Sequence, residues 1–357
     1  MRGLARLAAG SLAERRARYG RVVRGVARRT LEFGIRPHLL RGRVRHVHGP
    51  SAVPYGPEEL LSITVVRNGT PFVDSFLEHH ERLGIRHFVF LDNGSTDDTI
   101  DRLCAHEHVT VLQTDAPYDK YENTMKRFLA ERFSTGRWNL CVDVDELFDY
   151  PFSERLPLPR FLGYLESRGF TAVVAQMLDM FAGGPLRDVR HSPGARLKDA
   201  FRYYDTSAVT ASAYHWSPLA DPRVKTHRGG IRRTVFGTNN GLTKAALVKM
   251  DGRVRPFIEW HQATGALVAD VSCVLFHFPF VENFVDKVRD AVRTGRYGAT
   301  TTDEYVAYAA ALERDPALSL MRPTARRFDG LESLVSEGFL VASEHYREWV
   351  QRYGISR

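Results

Sequence analysis

The chain has 357 residues, enough for a sizeable core in one large domain or two, and its 43% hydrophobic and 26% charged residues are ordinary for a globular protein. No run approaches the roughly 20 apolar residues that span a bilayer, and charges at Arg6, Glu14, Arg15 and Arg16 interrupt any secretory-type apolar core. The net charge of +8 misleads: residues 1–50 hold thirteen Arg and two Glu, so the basic character belongs to this leader while the remainder is slightly acidic.

In the leader, Tyr19, Val22, Val23 and Val26 fall at helical spacing among Arg15, Arg18, Arg21, Arg24 and Arg28. The pattern predicts a basic amphipathic helix that meets an anionic membrane surface through residues 1–50, with a solvated extension as the alternative. Nucleic acid is not expected, since aromatic interleaving is poor and no nucleic-acid motif follows. "HGPSAVPYGPEE" reads as a linker, which gives an extension over 1–55, a catalytic domain over 56–295 and a helical C-terminal region over 296–357.

From residue 61 strands and helices alternate. "LSITVV" is a strand, and Thr70-Pro71 supplies an N-cap and a first-turn proline for a helix with Phe72, Phe76, Leu77 and Leu83 on its apolar face. "HFVFL" (87–91) is a second strand, Asp97 to Cys104 a short helix, and "VTVLQ" (109–113) a third strand. A helix over 119–134 carries Met125, Phe128, Leu129 and Phe133, "WNLCVD" (138–143) is the fourth strand and "FTAVVAQM" (170–177) the fifth. Residues 180–260 show no clear period; helices return at 281–292, in "EYVAYAAAL" and in "GFLVASEHYREWV".

Such alternation predicts an α/β fold with a mostly parallel sheet, whose ligands collect at the carboxyl ends of the strands. The polar clusters fall there: Arg67-Asn68 after the first strand, "DNGSTDD" after the second, "DVDE" after the fourth. Asp143 and Asp145, two positions apart where a buried strand ends, suit one Mg²⁺ or Mn²⁺ shared with phosphate and water. Asp92, at a strand end, can accept from a nucleoside's base or ribose, Asn93-Gly94 lets the chain turn sharply, and Ser95, Thr96 and Asp97 are capping types. The three cysteines, Cys104, Cys141 and Cys273, are widely spaced in apolar runs and predict reduced thiols in a cytoplasmic setting; the basic leader adds the expectation of a peripheral place on the inner face of the plasma membrane.

"ITVVRN", "FLEHHERLGIRHFVFLDNGSTDDT" and "RWNLCVDVDELF", followed by "RGGIRRTVFG", "LTKAALVKM" and "LFHFPFVENFVDKVRD", resemble in order and spacing the family 2 glycosyltransferases. They are most similar to the branch with an "EW…H…LG…DNGSTD…DxDEF" pattern, over roughly residues 61–300. The resemblance implies the Rossmann-like glycosyltransferase-A fold, a nucleotide-diphosphate sugar donor, Mn²⁺ or Mg²⁺ held by the D-x-D acids, inverting transfer and a glycan or lipid-linked acceptor in cell-surface polysaccharide or glycoconjugate synthesis. Asn68, Asp92, Asn93 and Asp143 would then line the donor site, and Asp143, Asp145 and His277 would hold the metal. Two positions depart from the pattern: Gly69 stands where the family has Glu, and His79 where it has Trp.

For the general base two residues are candidates. Asp179 sits among apolar residues that would raise its pKa, and Glu259 lies beside Trp260 and His261, which would form an acceptor platform. Arg232, Arg233, Lys244 and Lys249 are cations available to phosphate. The competing reading is a catalytically silent nucleotide- or glycan-binding module on the same fold, for which the loss of Glu at Gly69 argues and the retention of both Asp143 and Asp145 argues against.

Overall fold

The computed structural model describes residues 30–191, 195–257, 262–297 and 299–355. A π-helical turn, Thr30–Ile35, runs into α1 (Arg36–Arg41) and then β1 (Val44–His48). The alternating unit follows as β2 (Leu61–Val66), α2 (Val73–Leu83), β3 (His87–Asp92), α3 (Thr99–Cys104), β4 (Val109–Thr114), α4 (Tyr118–Phe133) and β5 (Trp138–Cys141). Then come β6 (Glu146–Asp149), α5 (Leu158–Ser167), β7 (Ala172–Asp179), α6 (Leu197–Ala200), β8 (Tyr203–Tyr204), the β9 (Val209–Ala213) and β10 (Lys225–Gly229) pair, α7 (Ile231–Phe236), β11 (Thr243–Lys249) and β12 (Cys273–His277). The C-terminal region is helical: α8 (Phe284–Thr294), α9 (Ala299–Arg314), α10 (Leu331–Ser336) and α11 (Glu344–Tyr353).

Nine strands form one sheet in the order β1-β4-β3-β2-β5-β11-β7-β12-β6. β2, β3, β4, β5, β7 and β12 point the same way, and β1, β6 and β11 run against them. This is an α/β architecture with a mostly parallel sheet flanked by helices. β2 and β3 are buried along their whole length, as parallel strands covered on both faces must be. The pleat divides β3 between two cores: Phe88 and Phe90 pack with Phe76 and Trp138, while Val89 and Leu91 pack with Ile63, Met125 and Leu129.

Four local expectations change. Thr70 does not cap α2: Gly69 O accepts from the N–H groups of Phe72 and Val73, and the Thr70 N–H donates to Asp97 Oδ2 instead. In "GFLVASEHYREWV" the helix begins only at Glu344, because Ser343 accepts from Tyr346 N–H and the stretch before it runs beside Ser272. The patternless 180–260 region supplies a central strand, β11, inserted antiparallel between β5 and β7. Residues 44–48, read as part of the extension, form the edge strand β1 against β4. All three cysteines are free thiols, and no helix among the described residues is long and apolar enough to cross a membrane.

Candidate functional site

A cavity of about 930 Å³ opens where β2, β3 and β5 end, roofed by α8 and α9. That volume suits a nucleotide-sized ligand. Asn68, Asn93, Asp143, Asp145, Arg232 and His277 all line it.

The two acids of "DVDE" have different fates. The Asp143 carboxylate is held by two ammonium groups, Lys244 Nζ at 2.7 Å and Lys126 Nζ at 3.2 Å. Lys244 comes from β11 and also meets Glu146 Oε1 at 2.5 Å; Lys126 comes from α4 and also meets Glu122 at 3.1 Å. Glu146 is fully buried, and its second oxygen accepts the Asp143 backbone N–H at 3.0 Å. Burial pushes the Glu146 carboxyl up against the pull of Lys244. Both lysines are themselves buried; that would lower their pKa, but the surrounding carboxylates reverse it and hold them charged.

Asp145 faces a different group of residues. His277 Nε2 lies 3.8 Å from Asp145 Oδ2, and Lys287 Nζ lies 3.6 Å from the same oxygen. Behind His277, its Nδ1–H donates to Asp179 Oδ1 at 2.6 Å, and its Nε2 faces Asp145 and the cavity. Asp179 Oδ2 accepts from Arg232 Nε at 2.8 Å. Burial alone would raise the Asp179 carboxyl, as the sequence suggested, but Arg232 and His277 outweigh it and hold the group below its ordinary value. With both oxygens engaged, Asp179 serves to orient His277.

The strand that follows Asp143 and Asp145, β6, is clamped by "HH" of α2. Phe148 O accepts from His79 Nε2 at 2.7 Å, and Phe148 N–H donates to His80 Nε2 at 3.0 Å, while His80 Nδ1–H donates to Phe76 O. Burial keeps both rings neutral, pushing His79 down to about 3 and His80 well below its ordinary value. The residue that departs from the family pattern at 79 thus pins β6.

Gly69 has an equally local reason. A Cβ there would stand 2.8 Å from Val66 Cγ2 and 3.4 Å from the methyls of Val144, the residue between the two acids. Asn68 takes a left-handed backbone (φ 53°); its N–H donates to Ser95 Oγ and its side-chain oxygen accepts from Thr96 N–H. Asp92 is fully buried and spends its oxygens on the turn, accepting from Gly94 N–H, Ser95 N–H and Gln113 Nε2. Asn93 ties the ends of neighbouring strands by donating to Thr114 O and Ala116 O. Asp92 shapes the 92–95 turn from beneath, while Asn93 lies at the cavity wall.

Trp260 and His261, with Glu259, lie outside the described residues. Sequence reasoning missed Lys126, Lys287, Glu304 and a run of tyrosines. Tyr297 stacks on Tyr305 (5.3 Å between centroids) and meets Tyr118 edge-on at 6.2 Å, and all three line the cavity. Glu304 also lines it, and burial raises its carboxyl. Lys126 had one legible signal, its i, i+4 spacing from Glu122 on a predicted helix. Of the other cations considered, Arg233 bonds Ala208 O in the hairpin region and Lys249 pairs with Glu166 at 2.6 Å; neither lines the cavity.

No protein-family model matches the chain, and no curated protein sequence is similar to it. Among solved structures it is similar to S. aureus TarS 1-349, at 14% identity over 72% of each chain and a TM-score of 0.32. It is also similar to glucosyl-3-phosphoglycerate synthase from Mycobacterium tuberculosis in complex with Mn²⁺, uridine diphosphate and glucosyl-3-phosphoglycerate (15% identity, 37% of this chain and 52% of that one, TM-score 0.24). A third is 4-diphosphocytidyl-2C-methyl-D-erythritol synthase (12%, 39% and 66%, TM-score 0.25). Overlays this loose say nothing of what the present chain binds.

Proposed function

We propose that the chain is a metal-dependent glycosyltransferase that moves a sugar from a nucleotide-diphosphate donor to an acceptor hydroxyl with inversion. The observation that carries this reading is the Asp145–His277 pair at the cavity floor, with Asp179 and Arg232 fixing the imidazole from behind. Asp145 and His277 fit a divalent cation: their facing atoms are too far apart for a hydrogen bond, and His277 Nε2 faces Asp145 and the cavity. Among the described residues no group of three or more His, Cys, Asp or Glu side chains is arranged around a metal, so the remaining positions fall to diphosphate and water. The mixed oxygen and nitrogen pair favours Mn²⁺ over Mg²⁺. When bound, the cation neutralises charge that grows on the leaving diphosphate.

The chain's own residues do the rest. Asn68, Asn93 and the backbone of the Asp92 turn shape the nucleoside end, and Asp143 stands between the two lysines at the ribose side. Lys287, half-buried at the cavity wall, adds a positive charge next to the diphosphate; its partial burial opposes that charge, but Tyr305, Asp145 and Tyr297 reverse the effect. Burial of Glu304 shifts its carboxyl toward working pH, and we assign it the acceptor proton. Tyr297 and Tyr305 offer ring faces to a sugar.

The test is donor turnover. Full-length protein with UDP-, GDP- or dTDP-sugars and Mn²⁺ should release nucleoside diphosphate, lose that activity to EDTA and regain it with Mn²⁺. Failure to bind or turn over any such donor overturns the reading. Binding without turnover supports the silent nucleotide-binding module, which the lysine-locked Asp143 would also suit.

A further inference from the structure

We propose that Thr30–His48, together with the arginine-rich sequence leading into it, docks the rim of the cavity onto an anionic phospholipid surface. Among the described residues nine large apolar side chains are exposed, and five of them fall in this one segment: Leu31, Phe33, Ile35, Leu39 and Val47. Ile35 is 48% exposed and Leu39 53%. The segment is nonetheless anchored. Leu40 is fully buried in the core that contains Met125 and Leu129 of α4. Glu32, its one acid, turns toward the protein and accepts from Arg36 at 2.5 Å, Arg127 Nη2 at 2.6 Å and Thr124 Oγ1 at 3.2 Å.

What faces out is therefore apolar and basic. Arg41, Arg43, Arg45, His38 and His46 are exposed among those apolar side chains. Residues 1–29 add nine arginines against one glutamate immediately upstream. A second copy of the chain presenting this same face would meet it with like charge. Lipid with anionic headgroups satisfies both halves, taking Leu and Ile into the interface and Arg against phosphate.

The location matters as much as the composition. Val44 pairs with Thr114 at the carboxyl end of β4, and Arg43 pairs at 3.1 Å with Asp115, which lines the cavity. The docked face thus adjoins the cavity mouth, which would then open beside the lipid surface. That this delivers a lipid-linked acceptor rests on the proposed function; the docking itself does not.

The experiment is sedimentation of the full-length chain with vesicles of phosphatidylcholine alone or mixed with phosphatidylglycerol. Binding should require the anionic lipid and fall as salt rises from about 0.1 to 1 M. Ile35→Asp with Leu39→Asp should lower partitioning roughly tenfold or more, Arg41→Ser about fivefold, and Leu267→Asp, exposed elsewhere, not at all. Unchanged melting and unchanged nucleotide binding of these variants separate loss of docking from loss of fold or of donor site. Equal sedimentation with neutral vesicles, no vesicle binding, wild-type partitioning of the Ile35/Leu39 variant, or retention by RNA or DNA in place of vesicles each overturns the proposal.

Discussion

The two acids of Asp143-Val144-Asp145 are chemically identical, yet the fold treats them in opposite ways. Asp143, itself 29% exposed at the cavity wall, is tied by close contacts into a closed ionic group with Lys126, Lys244, Glu122 and Glu146, of which the two lysines and Glu146 are at or below a tenth exposed. Asp145 stands in an open group with His277 and Lys287, at contacts of 3.6–3.8 Å that leave room for something between. The difference teaches that a D-x-D spacing specifies where carboxylates arrive and not what they hold. What each holds is decided by the cations that distant elements bring: Lys126 from α4 and Lys244 from β11 on one side, His277 from β12 and Lys287 from α8 on the other.

Breaking the closed group should have the largest effect. Lys244→Met removes the cation that meets both Asp143 and Glu146 and leaves Glu146 fully buried beside another carboxylate. Removing one partner of such a buried pair costs about 3–5 kcal/mol, read as a lower urea midpoint with an unchanged slope. Adding Glu146→Gln should recover part of the loss, since the uncompensated charge goes with it. If Lys244→Met melts like wild type, the closed group is not a stability element.

Breaking the open group should hardly touch stability and should strike function. Asp145→Asn is expected to reduce Mn²⁺-dependent donor turnover by roughly 100-fold, about 2.7 kcal/mol in barrier, with the urea midpoint preserved. His277→Ala should behave likewise, and the two together should lose less than the product of the single losses. Independent, multiplying losses would count against a shared ion.

The smallest effect sharpens the border between the groups. Gly69→Ala places a methyl 2.8 Å from Val66 Cγ2 and against Val144, a clash of side-chain atoms that can shift slightly. A cost of about 1–2 kcal/mol follows for overpacking at this site, with donor affinity falling several-fold because Val144 carries both acids with it. Unaltered donor affinity would show that the spacing of the two acids tolerates movement of Val144.

Much of this molecule was legible residue by residue. The alternating unit from β2 to β5 followed from period-2 and period-3.6 apolar patterns, because those strands and helices bury one continuous face or both. The position of "DVDE" at a strand end was equally plain. Less legible was β11: "TKAALVK" pairs antiparallel with strands about a hundred residues earlier and seventy residues earlier, and nothing in its own composition announces a central strand. The Asp179 expectation failed for the same kind of reason. Its apolar sequence neighbours say burial, but Arg232 and His277 are neighbours only in space, and they reverse the sign of the effect. Lys126 hid among Met125, Phe128 and Leu129 because a lysine on an apolar helix face reads as an exposed interruption until its carboxylate partners are known.

What the sequence determined by itself was local: where strands end, which carboxylates stand there, how the basic charge is concentrated before residue 50, and hence an α/β sheet with an acidic ligand edge. What only the tertiary structure decided was pairing. An ionisable group's chemistry depends on the charges within a few ångströms, and in a sheet of mixed strand order those charges come from residues 17 positions away, as Lys126 is from Asp143, to 142 positions away, as Lys287 is from Asp145. Asp143 meets two lysines and Asp145 a histidine and a third lysine for that reason, although the chain sets them down two residues apart.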